Sequence, residues 1–274
     1  MGHLAVEVVD CGVAVLRFVN PPTGLLTGAM AVELDARIGQ FADDPAVRAV
    51  ILTGGQPDVF IRHFDVVELA QAAEQVRAAP PPADAEWHSS LFHRMTRRLE
   101  QMSKPTIAAI NGACMGVGYE LALACDVRIA GRGEYPIGLP EVNLGICPGG
   151  GGTVRLTRLL GVSRALELLY AGRTVAPDQA AAWGLVNWVG ADALADARAF
   201  AAELTARSSA ALSAIKAVSR ASADLAIEDA LTMEQRVVNL RMASAEMAAL
   251  MRRMNEQRLD IRDVGHGSDL KDST

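Results

Sequence analysis

Two glutamates occupy positions where a purely structural sequence would favour an apolar residue. Glu120 lies within residues 111–126 (NGACMGVGYELALACD) and Glu141 within residues 138–153 (GLPEVNLGICPGGGGT), both rich in glycine and small apolar side chains. A carboxylate in such a setting is costly unless it is paired, hydrogen-bonded or protonated. Two of them close together push one pKa upward, which supplies an acid and a base at neutral pH. Proton transfer to and from a bound water or substrate is the chemistry such a pair can do. For Glu120 alone the competing reading is a favourable place at the positive end of its own helix dipole. A second glutamate in a like context weighs against it.

The glycines preceding Glu120 add a second capability. A helix N-terminus exposes backbone N–H groups, and small residues let a substrate oxygen approach them, so the turn can stabilise an oxyanion or bind a phosphate. Dinucleotide binding does not fit: GACMGVG is not spaced as G-x-G-x-x-G, and the acidic residue follows after two positions rather than about twenty. Neither glycine cluster runs into Gly-Lys-Ser/Thr, which excludes a P-loop. Cys11, Cys114, Cys125 and Cys147 are too scattered for a disulfide scaffold or a CxxC metal site. Cys114, without an evident neighbouring base, reads as a packing residue, and His88 and His93 as the polar part of a helix.

The elements that must position these residues follow from pattern. Residues 4–9 and 13–19, joined by Asp10-Cys11-Gly12, read as a hairpin. Thr27 can cap a helix whose Met30, Leu34, Ile38 and Phe41 recur at helical spacing before Asp43-Asp44-Pro45 ends it. Residues 47–53 form an apolar strand, residues 78–83 (AAPPPA) a proline-rich loop, and residues 87–102 an amphipathic helix. A theme of strand, glycine turn and helix then recurs: strand 106–110, turn 111–118, helix 120–124, strand 127–130, glycines 149–152 and helix 153–160. Alternation of this kind indicates an α/β fold. From Pro177 onward helices dominate, over residues 177–183, 192–207, 210–222 and 227–257. The last carries Leu231, Val237, Val238, Leu240, Met242, Met247, Leu250, Met251 and Met254 over a wide arc, which predicts burial against its own domain or against another subunit. Met233, Met242 and Met247 read as helix-packing residues, Trp183 and Trp188 as core or interface anchors, and the polar residues 265–274 as a disordered tail.

Composition sets the outer bounds. In 274 residues, 26 Lys and Arg face 32 Asp and Glu, a net charge of −6 that disfavours a nucleic-acid partner. Hydrophobic residues make up 50% and charged residues 21%, as expected of a chain with a sizeable core, and the 4% aromatic content means that core is aliphatic. The stretch between Lys104 and Glu120, as long an uncharged run as any, is broken by Asn111, Gly112, Gly116 and Gly118, so no membrane partner is expected. The first residues lack a basic segment and carry Glu7 and Asp10, unlike a signal peptide; a cytoplasmic location is the expectation.

The string NGACMGVGYELALACDVRIA, followed by PIGLPEVNLGICPGGGGTVRL, resembles the enoyl-CoA hydratase/isomerase (crotonase) superfamily, and the resemblance extends more loosely through VRAVILTGG, KPTIAAING and AGRTVAPDQAAAWGLVNWV, over roughly residues 4–220. It implies a β-β-α spiral core over residues 1–207, a C-terminal helical oligomerisation region over residues 208–274, and assembly as homotrimers or dimers of trimers. It also implies an acyl-CoA thioester substrate, coenzyme A entering with that substrate and no separate cofactor or metal. Glu120 and Glu141 would be the catalytic pair, and retaining both resembles a hydratase; an isomerase or another acyl-CoA-processing member is the near alternative, and a non-catalytic CoA-binding subunit the distant one. The oxyanion-hole amides would be those of Val117 and Phe64, with Arg62, His63, Val66, Gly116 and Gly149 lining the substrate site. His63 and Phe64 depart from the usual glycine and alanine, which predicts backbone strain at His63, since glycine tolerates angles that histidine resists.

Overall fold

The computed structural model describes residues 2–79 and 90–264. The first strands, β1 (His3–Val9) and β2 (Val13–Val19), make the expected antiparallel hairpin, with His3 opposite Val19 and Val9 opposite Val13. Helix α1 (Gly28–Asp43) is capped by Thr27, whose hydroxyl accepts from Met30 N–H, and buries Met30, Leu34, Ile38 and Phe41.

The chain then winds between two sheets. Strand β3 (Ala49–Gly54) leads into β4 (Asp58–Ile61), followed by helices α2 (Val66–Ala78) and α3 (Leu91–Gln101). Strand β5 (Thr106–Ile110) leads into β6 (Gly112–Met115) and helix α4 (Val117–Ala124). Strand β7 (Val127–Gly131) leads into β8 (Ile137–Gly138), then helices α5 (Gly152–Leu160) and α6 (Val162–Tyr170). Strand β9 (Thr174–Val175), helix α7 (Pro177–Ala182), strand β10 (Trp188–Gly190) and helix α8 (Ala193–Thr205) complete the winding. The six-stranded sheet runs β1-β2-β3-β5-β7-β10 and the four-stranded sheet β4-β6-β8-β9. Beyond the hairpin every pair in the larger sheet is parallel. The turns that begin at β3, β5 and β7 each contribute a strand to the larger sheet, a strand to the smaller one and then helix, whereas the last places β9 in the smaller sheet and, after α7, β10 in the larger.

A parallel strand covered on both faces must be apolar on both. Val50, Leu52, Ala108 and Ile110 face a core shared with α1, α3 and α4, while Ile51, Ile107, Ala109 and Ile129 face a second core closed by Ala193, Ala197 and Ala201 of α8. That is why residues 47–53 read as one continuous apolar run. The turn expected over residues 111–118 instead contains strand β6, whose Gly112 lies so close to the Asp58–Val59 backbone that no Cβ would fit. Pairing with β4 and β8 overrides the glycine-rich composition there.

Three helices follow: α9 (Ser209–Ser222), α10 (Ile227–Met242) and α11 (Ala245–Gln257). The single helix expected over residues 227–257 is divided because the Ser244 hydroxyl accepts from Met247 N–H and starts a new one. Only Ala230 of α10 is buried and no residue of α11 is. The arc is divided: Val237, Met247, Leu250 and Met254 are half-buried, whereas Leu231, Val238, Leu240, Met242 and Met251 are exposed, Leu240 at 73%. Met242, expected as a helix-packing residue, is 62% exposed, and Trp188, 36% exposed, lies edge-on to Phe200. Residues 80–83 of the proline-rich loop, residues 87–89 at the start of the expected helix (Trp87 and His88 among them) and the tail 265–274 lie outside the described residues. Among the described residues no helix is long and apolar enough to cross a membrane.

Candidate active site

Helix α4 carries the first glutamate into the interior. All eight of its residues are buried, and Glu120 is 3% exposed. Its carboxylate does not lie on the amides of its own helix. Oε1 accepts from Gly150 N–H at 2.7 Å and Gly152 N–H at 2.8 Å, at the start of α5. Glu120 does lie in the first turn of its own helix, as the helix-dipole reading has it, but the donors to its carboxylate come from the start of α5, thirty residues on. A Cβ at position 150 or 152 would meet Glu120 at about 3 Å or less, so glycine is what lets these amides reach the acid. Burial pushes the Glu120 carboxyl upward, opposed by the two amide bonds, Arg155 and His93.

Glu141 opens a single 3-10 turn, Glu141–Leu144, closed by Gly145 in left-handed backbone (φ 73°). It is half-buried, and its Oε2 is buried without a hydrogen-bond partner among the described residues. Burial pushes its pKa up to about 7; its own backbone N–H opposes the rise and the charge of Glu120 adds to it. The two acids therefore sense one another.

Gly116 marks where three segments converge. Its left-handed backbone (φ 54°) turns β6 into α4, and a Cβ there would stand 3.3 Å from Glu141 Oε1 and 3.6 Å from His63 Cβ. Gly118 packs its bare Cα against Ile61 at the end of β4, which draws the start of α4 to the segment 61–64. Along that segment Leu26 N–H donates to His63 C=O and Asp65 N–H donates to Leu26 C=O. Alternate amides of an extended chain point to opposite sides, so the Phe64 N–H is turned away from Leu26. Among the described residues no acceptor takes the N–H of Phe64 or of Val117.

The departures at 63 and 64 cost no backbone strain. Among the described residues other than glycine, only Cys11, Asp58 and Arg258 have positive φ, so the strain expected at His63 is absent. The His63 Nδ1–H donates to Phe64 C=O at 2.8 Å, and the half-buried Phe64 ring lies edge-on to Phe92 with centroids 5.3 Å apart. Arg62 and Val66 are exposed at this edge, and Gly149 is exposed, with open space where a Cβ would stand. Cys114 is buried, and burial pushes its thiol well up.

Sequence reading missed a second set of residues around Glu120. His93 is half-buried and acts on the Glu120 carboxyl rather than sitting on an outer polar face. Thr96 and Arg155 both bond Gly150 C=O, and Glu100 holds Arg155. The available signal was Arg155 itself, a charge inside GGTVRL; its partners on α3 lie more than fifty residues earlier, beyond what local pattern reveals.

The sequence profile of the enoyl-CoA hydratase/isomerase family matches residues 9–260. The chain belongs to the enoyl-CoA hydratase/isomerase family. Its fold is the crotonase fold of that family: enoyl-CoA hydratase from Bacillus anthracis superposes with a TM-score of 0.83 at 31% identity, over 93% of this chain and 96% of that one. DspI of Pseudomonas aeruginosa superposes with a TM-score of 0.81 at 27% identity, over 93% and 94% respectively. Fatty acid oxidation complex subunit alpha of Shewanella putrefaciens is 36% identical over 181 residues, 65% of this chain and 25% of that protein. The chain thus spans about a quarter of the length of such curated family relatives.

Proposed function

We propose that this enoyl-CoA hydratase/isomerase family member hydrates 2-enoyl-CoA thioesters. The observation that carries the reading is the unequal pair of acids beside two acceptor-free amides: Glu120 with two N–H donors on one oxygen, Glu141 with a buried oxygen that has none. Two amide donors favour an ionised carboxylate, and a buried oxygen without a donor favours a protonated one. In the proposed reaction a water lies between them. Ionised Glu120 takes its proton as the water oxygen bonds to C3, and protonated Glu141 delivers a proton to C2. Negative charge that develops on the thioester oxygen is held by Phe64 N–H and Val117 N–H, an oxyanion hole in which each donor is worth about 10²–10³ in rate. The proton belongs to the pair, so these roles describe its dominant microstate.

Arg62 at the rim offers a cation for the phosphates of coenzyme A, Val66 and Phe64 a wall for the acyl chain, and His63, Gly116 and Gly149 further substrate contacts. No separate cofactor is required. The exposed apolar residues of α10 fit the subunit contact that a homotrimer or dimer of trimers needs; a cytoplasmic place in fatty-acid metabolism completes the proposal. The test is loss of the conjugated thioester absorbance of crotonyl-CoA with wild type, Glu120→Gln and Glu141→Gln, beside a 3-enoyl-CoA. Turnover of crotonyl-CoA to the hydroxyacyl product, lost in both variants, is expected. Double-bond migration in the 3-enoyl-CoA without hydroxyacyl product, or no turnover at any chain length, would overturn the reading.

A further inference from the structure

Gly150, whose N–H donates to Glu120, is itself held through its carbonyl, in the next peptide group. Its C=O accepts from Arg155 Nη1 at 2.8 Å and from the buried Thr96 hydroxyl at 3.1 Å. Arg155 cannot swing freely, because Nε and Nη2 form a two-pronged pair with the Glu100 carboxylate, each at 2.8 Å. The pair is well shielded, the Arg155 side chain being 12% exposed. Gly151 completes the arrangement: its left-handed backbone (φ 96°) folds the turn under the guanidinium, and a Cβ there would overlap Arg155 Nη1.

The brace continues into the C-terminal helices. Arg220 of α9 places Nη1 3.5 Å from Glu100 Oε1, while its Nη2 donates to Asp126 Oδ1 at 2.9 Å and to the C=O of Ala124, the last residue of α4, at 3.1 Å. Lys216 pairs with Asp126 Oδ2 at 2.8 Å. Helix α4 is therefore fixed at its end by α9 and at its start through Glu120, Gly150 and Arg155.

We propose that Arg155, clamped by Glu100, is a positioning residue that keeps the Gly150 N–H on Glu120 and so holds Glu120 ready to accept a proton. The inference rests on the hydratase reading for its catalytic meaning, though not for its test. A guanidinium fixed on the Gly150 carbonyl holds that residue in place, so that its N–H, which belongs to the preceding peptide group, stays aimed at Glu120, and the positive charge of Arg155 favours the carboxylate form of Glu120. The other titratable groups facing Glu120 are His93 on α3 and Glu141 on its turn. On the strands packed against α4, Cys114 and Arg128 act on Tyr119, and Asp58 on Tyr135.

The experiment compares wild type, Arg155→Met, Arg155→Lys and Thr96→Val by two readouts. One is the titration of the Glu120 carboxyl by carbon NMR in protein labelled at glutamate carboxyls, the resonance being assigned by its loss in Glu120→Gln. The other is the acidic limb of kcat/KM for crotonyl-CoA. Arg155→Met is expected to move both upward by about one pH unit, about tenfold in kcat/KM on that limb. Arg155→Lys, which keeps the charge without the fork, is expected to move them less, and Thr96→Val slightly in the same direction. An unmoved Glu120 titration in folded Arg155→Met, or in folded Thr96→Val should both Arg155 variants fail to fold, would overturn the proposal. If wild type hydrates no enoyl-CoA, the hydratase reading falls while the NMR titration still decides the positioning role.

Discussion

Glu120 and Glu141 share a side chain, yet their surroundings differ in each respect that matters to a proton. Glu120 sits on the first turn of a fully buried helix and receives two amides from the start of another. Glu141 sits on one 3-10 turn whose neighbours Val142, Leu144 and Ile146 are exposed, and one of its oxygens is buried unpaired. Burial raises both, but fixed donors resist the rise at Glu120, whereas at Glu141 only its own N–H resists and its partner's charge adds to it. The contrast teaches that an acid and a base can be made from one residue type by supplying donors to one site and withholding them from the other.

The contrast can be broken in order of effect. Glu120→Gln removes the proton acceptor while keeping an oxygen for the two amides. A fall in kcat of about 10²–10⁴ is expected with the thermal midpoint nearly unchanged, read from initial rates and calorimetry. A variant as fast as wild type would remove the base from the account. Glu141→Gln, which removes the proton donor, is expected to lose activity within the same range.

Gly152→Ala attacks the donors rather than the acid. Its Cβ would lie 3.0 Å from Glu120 Cγ and 2.9 Å from Leu139 Cδ1, so the carboxylate must shift. Loss of up to about 10² in kcat/KM is expected, in keeping with the cost of an ångström-scale displacement. Unchanged kinetics would show that the amide bonds do not set the geometry.

The smallest effect is on stability. The Glu141 pKa, ordinarily 4.5, is raised to about 7 in the folded protein, so the fold binds a proton more tightly than the unfolded chain. Stability associated with Glu141 is therefore fully present below about pH 4.5 and declines as pH rises to about 7. Glu141→Gln, which never ionises, is expected to raise the thermal midpoint relative to wild type above pH 7 and to leave the difference small below pH 4.5. The same difference at both pH values would mean that Glu141 titrates normally.

Much of this was legible before the structure. Thr27 and the Met30, Leu34, Ile38, Phe41 stripe fixed the first helix because cap and periodicity are local. Glu120 and Glu141 stood out because a charge in a small-residue run needs a partner. The partners themselves did not stand out: Glu120 is served by Gly150 and Gly152, and Arg155 by Glu100 across 55 positions, contacts that only the spiral brings together. Strand β6 hid within a glycine run because its reason for being extended is its neighbours. The break at Ser244 was locally encoded by a capping hydroxyl, yet the wide apolar arc on either side masked it.

The most direct test is kcat/KM for crotonyl-CoA hydration between about pH 5 and about pH 9, since that ratio reports the free enzyme's acid and base. A bell is expected, with a falling limb near pH 7 from Glu141 that disappears in Glu141→Gln and a rising limb that disappears in Glu120→Gln. A wild-type profile flat through pH 7, or a falling limb that survives in Glu141→Gln, would contradict the division of labour between the two glutamates.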